Sequence, residues 1–168
     1  MESVGYDMYL KLLGEAVSEE KGEAAPQSAD LDCLIDISVN AHIPESYVES
    51  LTLRLDVYRR IADIRNKEDS LDVKDELKDR FGEIPESVLG LIDIALIRNC
   101  ANAMGIYEIR QTDTNVLLFV KEIKSPKVIE LLSRLNGRAM LSAGNKPYIT
   151  IRCGGGSSLD MLKKVFKI

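Results

Sequence analysis

Residues 86–104, ESVLGLIDIALIRNCANAM, carry apolar side chains on nearly every side of a helix: Val88, Leu89, Leu91, Ile92, Ile94, Ala95, Leu96, Ile97, Cys100, Ala101 and Met104. A helix at a protein surface keeps its apolar residues to one stripe, so one that is apolar nearly all round has to be surrounded by the rest of its own chain. Pro85 suits the beginning of such a helix and Gly105 its end. A chain of 168 residues, 45% hydrophobic and 29% charged, has enough material for that, as one domain or two small subdomains. No stretch reaches membrane-spanning length, so no membrane is expected as a partner.

The hydrophobic period changes at Gly105. Before it the pattern is mainly helical. Residues 4–21 place Val4, Met8 and Leu12 with Tyr9, Leu13, Ala16 and Val17 on one side, and Gly22 ends that run. Residues 22–32 form a polar, proline-containing connector. CLIDISVN, residues 33–40, alternates as a strand, with Ile35, Ile37 and Val39 on one face. After Pro44 the segment ESYVESLTLRLDVYRRIADI resumes a helix, in two pieces given Ser50 and Thr52.

Beyond Gly105, IYEIRQ and VLLFVKE flank a TDTN turn and read as a hairpin. SPKVIELLSRL is a short amphipathic helix closed by Asn136 and Gly137. GRAMLSAGNKPYITIRC is a second hairpin with Ile149 and Ile151 on one face, and Gly154–Gly156 lead into a last helix. The expected fold class is α+β: a helical half to about residue 105, then an αβ half over 106–168 with a small antiparallel sheet and two helices.

The helix before the apolar one, within NKEDSLDVKDELKDRFGEIP, is unusual in charge. Asp72, Glu76, Asp79 and Glu83 follow one another at steps of four, three and four. At about 100° per residue they fall within an arc of roughly 60°. Val73, Leu77 and Phe81 lie on another side and can pack inward. Like charges at these spacings cost about 0.2–0.5 kcal/mol per pair, so the ridge is either a solvated face of an acidic protein or a surface for something basic. Asn66 is the expected N-cap, with Asp69 three residues on, and Gly82 the left-handed stop.

Other chemistry finds little footing. The net charge of −5 and a pI near 5.0 argue against a dominant nucleic-acid surface. Arg54, Arg59, Arg60 and Arg65 cluster at helical spacing and read as a solvated face paired with nearby acids. Cys33, Cys100 and Cys153 lack a metal-ligand spacing and behave as small hydrophobes, in keeping with a reducing cytoplasm. His42, the single histidine, has no nucleophile in a recognisable motif, which fits a structural or surface residue. GGGSS before the last helix lacks the lysine of a phosphate-binding loop and reads as a turn with an N-cap serine. Asp75–Glu76 follow polar residues, unlike the acidic pair that ends a buried ATPase strand. No cofactor or metal is expected.

KDELKDRFGEIPESVLGLIDIALIRNCANAMGI resembles the C-terminal domain of bacterial transcription-repair coupling factors, the Mfd family. GYDMYLKLLGEAV is similar to the end of that family's translocase motor, IDISVNAHIPESYVES to a strand followed by an Ile-Pro turn, and LDVYRRIADI to the next helix. The run Asp-Arg-Phe-Gly-x-Ile/Leu-Pro, Asp79 to Pro85, is the most specific piece. Ser70 and Lys78 depart from positions that are often apolar in the family, and Leu71 from one that is often polar.

The resemblance implies that residues 1–32 end a motor and linker within a longer chain. Residues 33–168 would then be a non-enzymatic α+β regulatory domain of a cytoplasmic protein. It implies a parent that is an ATP-driven DNA translocase, removes stalled RNA polymerase and recruits the repair protein UvrA. The domain would dock on the UvrB-like N-terminal module of the same chain and mask its UvrA-binding surface. The two docking carboxylates of the family's Glu-(Leu/Ile/Val)-x-Asp-Arg-Phe-Gly match Glu76 and Asp79, with Asp72 and Glu83 at the rim, facing arginines on the module. That agreement favours an interface over a solvated face. The alternative is an intermolecular adaptor that uses hairpin edges within residues 106–152.

Overall fold

The computed structural model describes residues 33–168. The reading of residues 4–32 as helix and connector, and of 1–32 as the end of a motor, lies outside them. In chain order the elements are β1 (Leu34–Asp36), α1 (Leu51–Ala62), α2 (Lys67–Phe81), α3 (Glu86–Ala103), β2 (Ile106–Gln111), β3 (Asn115–Val120), α4 (Pro126–Leu135), β4 (Ala139–Ser142), β5 (Tyr148–Arg152) and α5 (Ser158–Phe166). The class is α+β. The chain divides into two compact units, whose described parts are residues 39–96 and residues 33–38 with 97–168.

The first unit is helical. The segment after Pro44 is not helical from its start. Tyr47 and Val48 donate their N–H groups to the Pro44 carbonyl in a turn, and α1 begins only after Ser50, whose hydroxyl accepts from Leu53 N. Ser50 thus starts the helix rather than interrupting it, because its oxygen satisfies an otherwise orphaned donor. Val57, Tyr58 and Ile61 face inward, and the Tyr58 hydroxyl accepts from Ile43 N at 2.9 Å. Pro85 opens α3, its carbonyl accepting from Val88 N and Leu89 N, and every residue from Gly90 to Ile97 is buried. The middle of the helix is enclosed as expected, while Leu89 and Cys100 towards its ends, and Met104 just past it, are only half-buried.

The second unit is built on one sheet of order β1-β2-β3-β5-β4. The expectation of an antiparallel sheet needs correction. β2, β3, β5 and β4 are antiparallel to their neighbours, but β1 pairs parallel to β2 through Leu34–Glu108, Ile35–Ile109 and Asp36–Arg110, so the sheet is mixed. A parallel pair needs a long crossover, and residues 37–105 supply one that contains three helices. Placing the strand in the helical half hid this pairing.

The sheet buries one face. Ile109, Val116, Leu118, Val120 and Ile149 are all fully buried, and the alternate residues Leu117, Phe119 and Tyr148 are half-buried. On that second face the Phe119 ring stands 5.4 Å from Tyr148 and 6.2 Å from Tyr107. α4 stops at Asn136 (φ 37°) and Gly137 (φ 81°), as their types suggest. Arg134 on α4 donates to the Val165 carbonyl at 2.8 Å, giving a partner to an acceptor in the last turn of α5.

Candidate docking face

The candidate site is built on α2. Asn66 Oδ1 accepts from Asp69 N at 2.8 Å, and Asp69 in turn accepts from Arg65 N at 2.9 Å. These two bonds, the second reaching the N–H one residue before the cap, fix where the helix starts. Ser70, Val73 and Leu77 are each 1% exposed and form the inward stripe, while Leu71 is 51% exposed. The departure at Ser70 therefore does not rotate the helix. Its hydroxyl donates to the Lys67 carbonyl at 2.6 Å, which lets a polar side chain occupy a buried position. Phe81 is only half-buried. It lies against Tyr47 at 5.7 Å and under the Arg80 guanidinium at 5.0 Å.

At its other end α2 is held by Tyr47, whose hydroxyl lies 3.2 Å from the Leu77 carbonyl and 3.3 Å from that of Gly82. Burial, then the nearby Glu83 carboxylate, raise the Tyr47 pKa. The phenol therefore stays protonated and able to donate.

With the inward stripe fixed, Asp72, Glu76 and Asp79 are left on the outer side. Asp72 and Asp79 are exposed and make no ion pair among the described residues. Glu76 is not free. Its Oε2 accepts from Arg60 Nε on α1 at 3.0 Å, and its Oε1 from Arg80 Nη1 at 3.1 Å. Glu83 leaves the ridge altogether. α2 ends at Phe81, so Glu83 lies past the turn at Gly82, where it pairs with Lys78 at 3.4 Å. The helical continuation assumed by a step of four from Asp79 stops short of it.

The ridge is thus interrupted by two cations. Arg80 was legible, four residues after Glu76, where opposite charges meet on a helix. Arg60 was not, because nothing local links it to Glu76. The arginine cluster reads as expected only in part. Arg54 pairs with Glu45, Arg59 with Asp56 and Arg60 with Glu76, but the Arg54 side chain is only 12% exposed. Arg65 lies past the end of α1 with no ion pair among the described residues.

The hydrogen bond from Arg60, followed by that from Arg80, holds Glu76 below the ordinary glutamate value of 4.5 despite an opposing desolvation effect. A carboxylate depressed in the folded state stabilises the fold above its unfolded value and loses that contribution as pH falls through the folded value. The Glu76 contribution is therefore constant at neutral pH and fades only below pH 4.5. Its side chain is 34% exposed and those of its partners more so, so screening keeps the effect small. Glu76→Gln is expected to cost under about 1 kcal/mol at pH 7 and less at about pH 3, below the ordinary glutamate value. Urea unfolding at the two pH values checks this.

No group of three or more His, Cys, Asp or Glu among the described residues could hold a metal ion. No helix among them is long and apolar enough to cross a membrane. His42 is exposed and its Nδ1 lies 2.9 Å from Asn40 Oδ1. The three cysteines are free thiols, Cys33 buried and the other two half-buried.

Comparison with known proteins places this geometry. The family model described as the TRCF domain matches residues 37–130, which include all of α2. The transcription-repair-coupling factor of Bacillus subtilis (strain 168) is 30% identical over 171 residues, covering 98% of this chain and 14% of that protein. That of Staphylococcus epidermidis (strain ATCC 35984) is 33% identical over 132 residues, covering 77% of this chain and 11% of that protein. The chain thus spans only a small part of these relatives. A crystal structure of the C-terminal domain of transcription-repair coupling factor superposes with a TM-score of 0.71 at 18% identity, over 80% of this chain and 88% of that one, which shows a shared fold. With more than half of its residues matched by the family model and nearly its whole length aligned to a relative, the chain belongs to the TRCF domain family of transcription-repair coupling factors.

Proposed function

We propose that this domain is a non-catalytic latch. The outer face of α2 docks on a basic, UvrB-like N-terminal module of the same protein and masks the surface that UvrA must reach. The parent on this reading is a cytoplasmic ATP-driven DNA translocase that removes stalled RNA polymerase. The observation that carries the proposal is Asp79. It lies on the family's Asp-Arg-Phe-Gly run, exposed and without an ion pair among the described residues, one turn from a Glu76 already held by two guanidinium groups.

The two carboxylates contribute differently. Asp79 is open to an incoming arginine, whose planar fork suits a carboxylate. Glu76 has to exchange Arg60 or Arg80 for the newcomer. Exposed bonds of this kind are worth about 0–1 kcal/mol each, so the exchange costs little. Asp72 acts at the rim, on approach rate and specificity more than on affinity, whereas Glu83, past the end of α2 and paired with Lys78, no longer belongs to that face. A tether within one polypeptide supplies an effective concentration of about millimolar order, so a weak contact suffices to hold the closed state.

Asp79→Arg in the full-length protein is expected to raise UvrA affinity about tenfold, the equivalent of roughly 1.4 kcal/mol of lost docking. Glu76→Arg is expected to act in the same direction. It also sets a third cation beside Arg60 and Arg80, so Asp79→Arg is the cleaner probe. Raised salt is expected to mimic both, because exposed charges are screened over about 8–10 Å. Unchanged UvrA affinity in Asp79→Arg, with the domain folded, refutes the latch.

A further inference from the structure

We infer that the αβ unit carries a second docking site, a cationic cleft beside the free edge of β4 that takes an acidic peptide in extended form. This goes beyond the latch and gives residues to the adaptor alternative. It shares no residue with α2.

The cleft has a volume of about 950 Å³ and is lined in part by Arg138, Met140, Thr150, Arg152, Asp160 and Lys164. Three cations from separate places in the chain therefore face one carboxylate, in a protein whose net charge is −5. Arg138, Arg152 and Lys164 are exposed, and none makes an ion pair among the described residues. By contrast Arg54, Arg59, Arg60, Arg80 and Arg110 are each matched to an acid. Other cations without an ion pair among the described residues, Lys74, Lys121 and Lys146 among them, lie outside the cleft, but here three meet around one space.

The cleft runs across the sheet from Asn115 on β3 and Thr150 and Arg152 on β5 to Met140 on β4, the edge strand. β4 is the last strand of the sheet, so its side away from β5 has no strand partner among the described residues. Natural edges are often blunted with charge or proline. β4 reads Ala-Met-Leu-Ser, with Met140 64% and Leu141 40% exposed. An added strand would take its main-chain hydrogen bonds from this edge and its side-chain selectivity from alternate residues that reach the cations.

The lining separates possible ligands. No aromatic side chain contributes to the cleft, so it offers no stacking surface for a nucleobase, a contact worth about 1–3 kcal/mol per base where it exists. GGGSS contributes Gly154, Gly156 and Ser157 to the wall, but the cations beside them are exposed and come from different elements. That suits several carboxylates along a chain better than one small anion.

The test is titration of this chain with a labelled ten-residue peptide of alternating glutamate and valine. The matched lysine–valine peptide, inorganic phosphate and a nucleoside triphosphate are run in parallel. The acidic peptide is expected to bind, with slowed amide exchange confined to residues 139–142. Binding is expected to weaken at least about fivefold in R152E and in K164E, both surface changes, and to be unaffected by D79R. No binding at millimolar peptide overturns the inference. So does equal binding of the lysine peptide, binding without protection of β4, or competition by the triphosphate with the same protection pattern. Loss of the latch in D79R with this binding intact, or the converse, tells the two sites apart.

Discussion

Leu91→Ala is expected to lower the free energy of unfolding by about 2–5 kcal/mol, the range for emptying a leucine-sized space in a closed interior. Leu91 is 0% exposed and sits within the stretch of α3, Gly90 to Ile97, in which every residue is buried. Alanine is the better helix former, so the loss reports packing rather than propensity. Total stabilities of about 5–15 kcal/mol make this a large fraction of the whole. Leu71→Ala removes the same atoms from a side chain that is 51% exposed on α2 and is expected to stay within about 0.5 kcal/mol of neutral. Urea unfolding decides the matter. The midpoint should fall in the first variant at an unchanged slope and stay put in the second. Equal effects in both would mean that α3 is not enclosed as its composition demands.

That pair also marks what was legible in the sequence. Leu91 was assigned to a core because its helix had no polar side to turn outward. Val73 and Leu77 were assigned inward by spacing, and both are 1% exposed. Caps were equally readable, since Asn66, Pro85 and the pair Asn136–Gly137 act through chemistry local to their own turn. Long-range partners were not. No periodicity joins Leu34 to Glu108, so the parallel pairing that makes the sheet mixed could not be read from either strand. Nor could Arg60 be matched to Glu76, sixteen residues away on another helix. The four-residue step from Asp79 to Glu83 misled for a different reason: it assumed a helix past a glycine already identified as its end. The acidic ridge was thus right in its rotation, wrong in its length, and silent about the two arginines that neutralise its middle.

That glycine carries the other large expected effect. Gly82→Ala is expected to cost about 1–3 kcal/mol through backbone strain alone. A left-handed stop was anticipated, and the φ of 86° has the expected sign, but ψ is −155°, outside the left-handed helical basin. Residues with a side chain essentially never occupy that region, and even asparagine, tolerated at ordinary left-handed caps, does not relieve it. A Cβ at Gly82 would meet nothing within 4 Å, so a clash cannot account for a loss there. Gly144 is the control: it too is open to a Cβ, but its φ is not positive. Gly144→Ala is expected to be neutral or to stabilise by about 0.4–1 kcal/mol, by reducing the freedom of the unfolded chain. The Gly82 turn also sets the carbonyl that meets Tyr47 and the approach to Pro85. Relief of the strain would therefore disturb the end of α2, two residues past Asp79. Amide exchange in Gly82→Ala should accordingly accelerate at the C-terminal turn of α2 and leave β2 to β5 as they were. If instead Gly82→Ala and Gly144→Ala proved equally benign, the turn would not depend on the conformation that only glycine adopts.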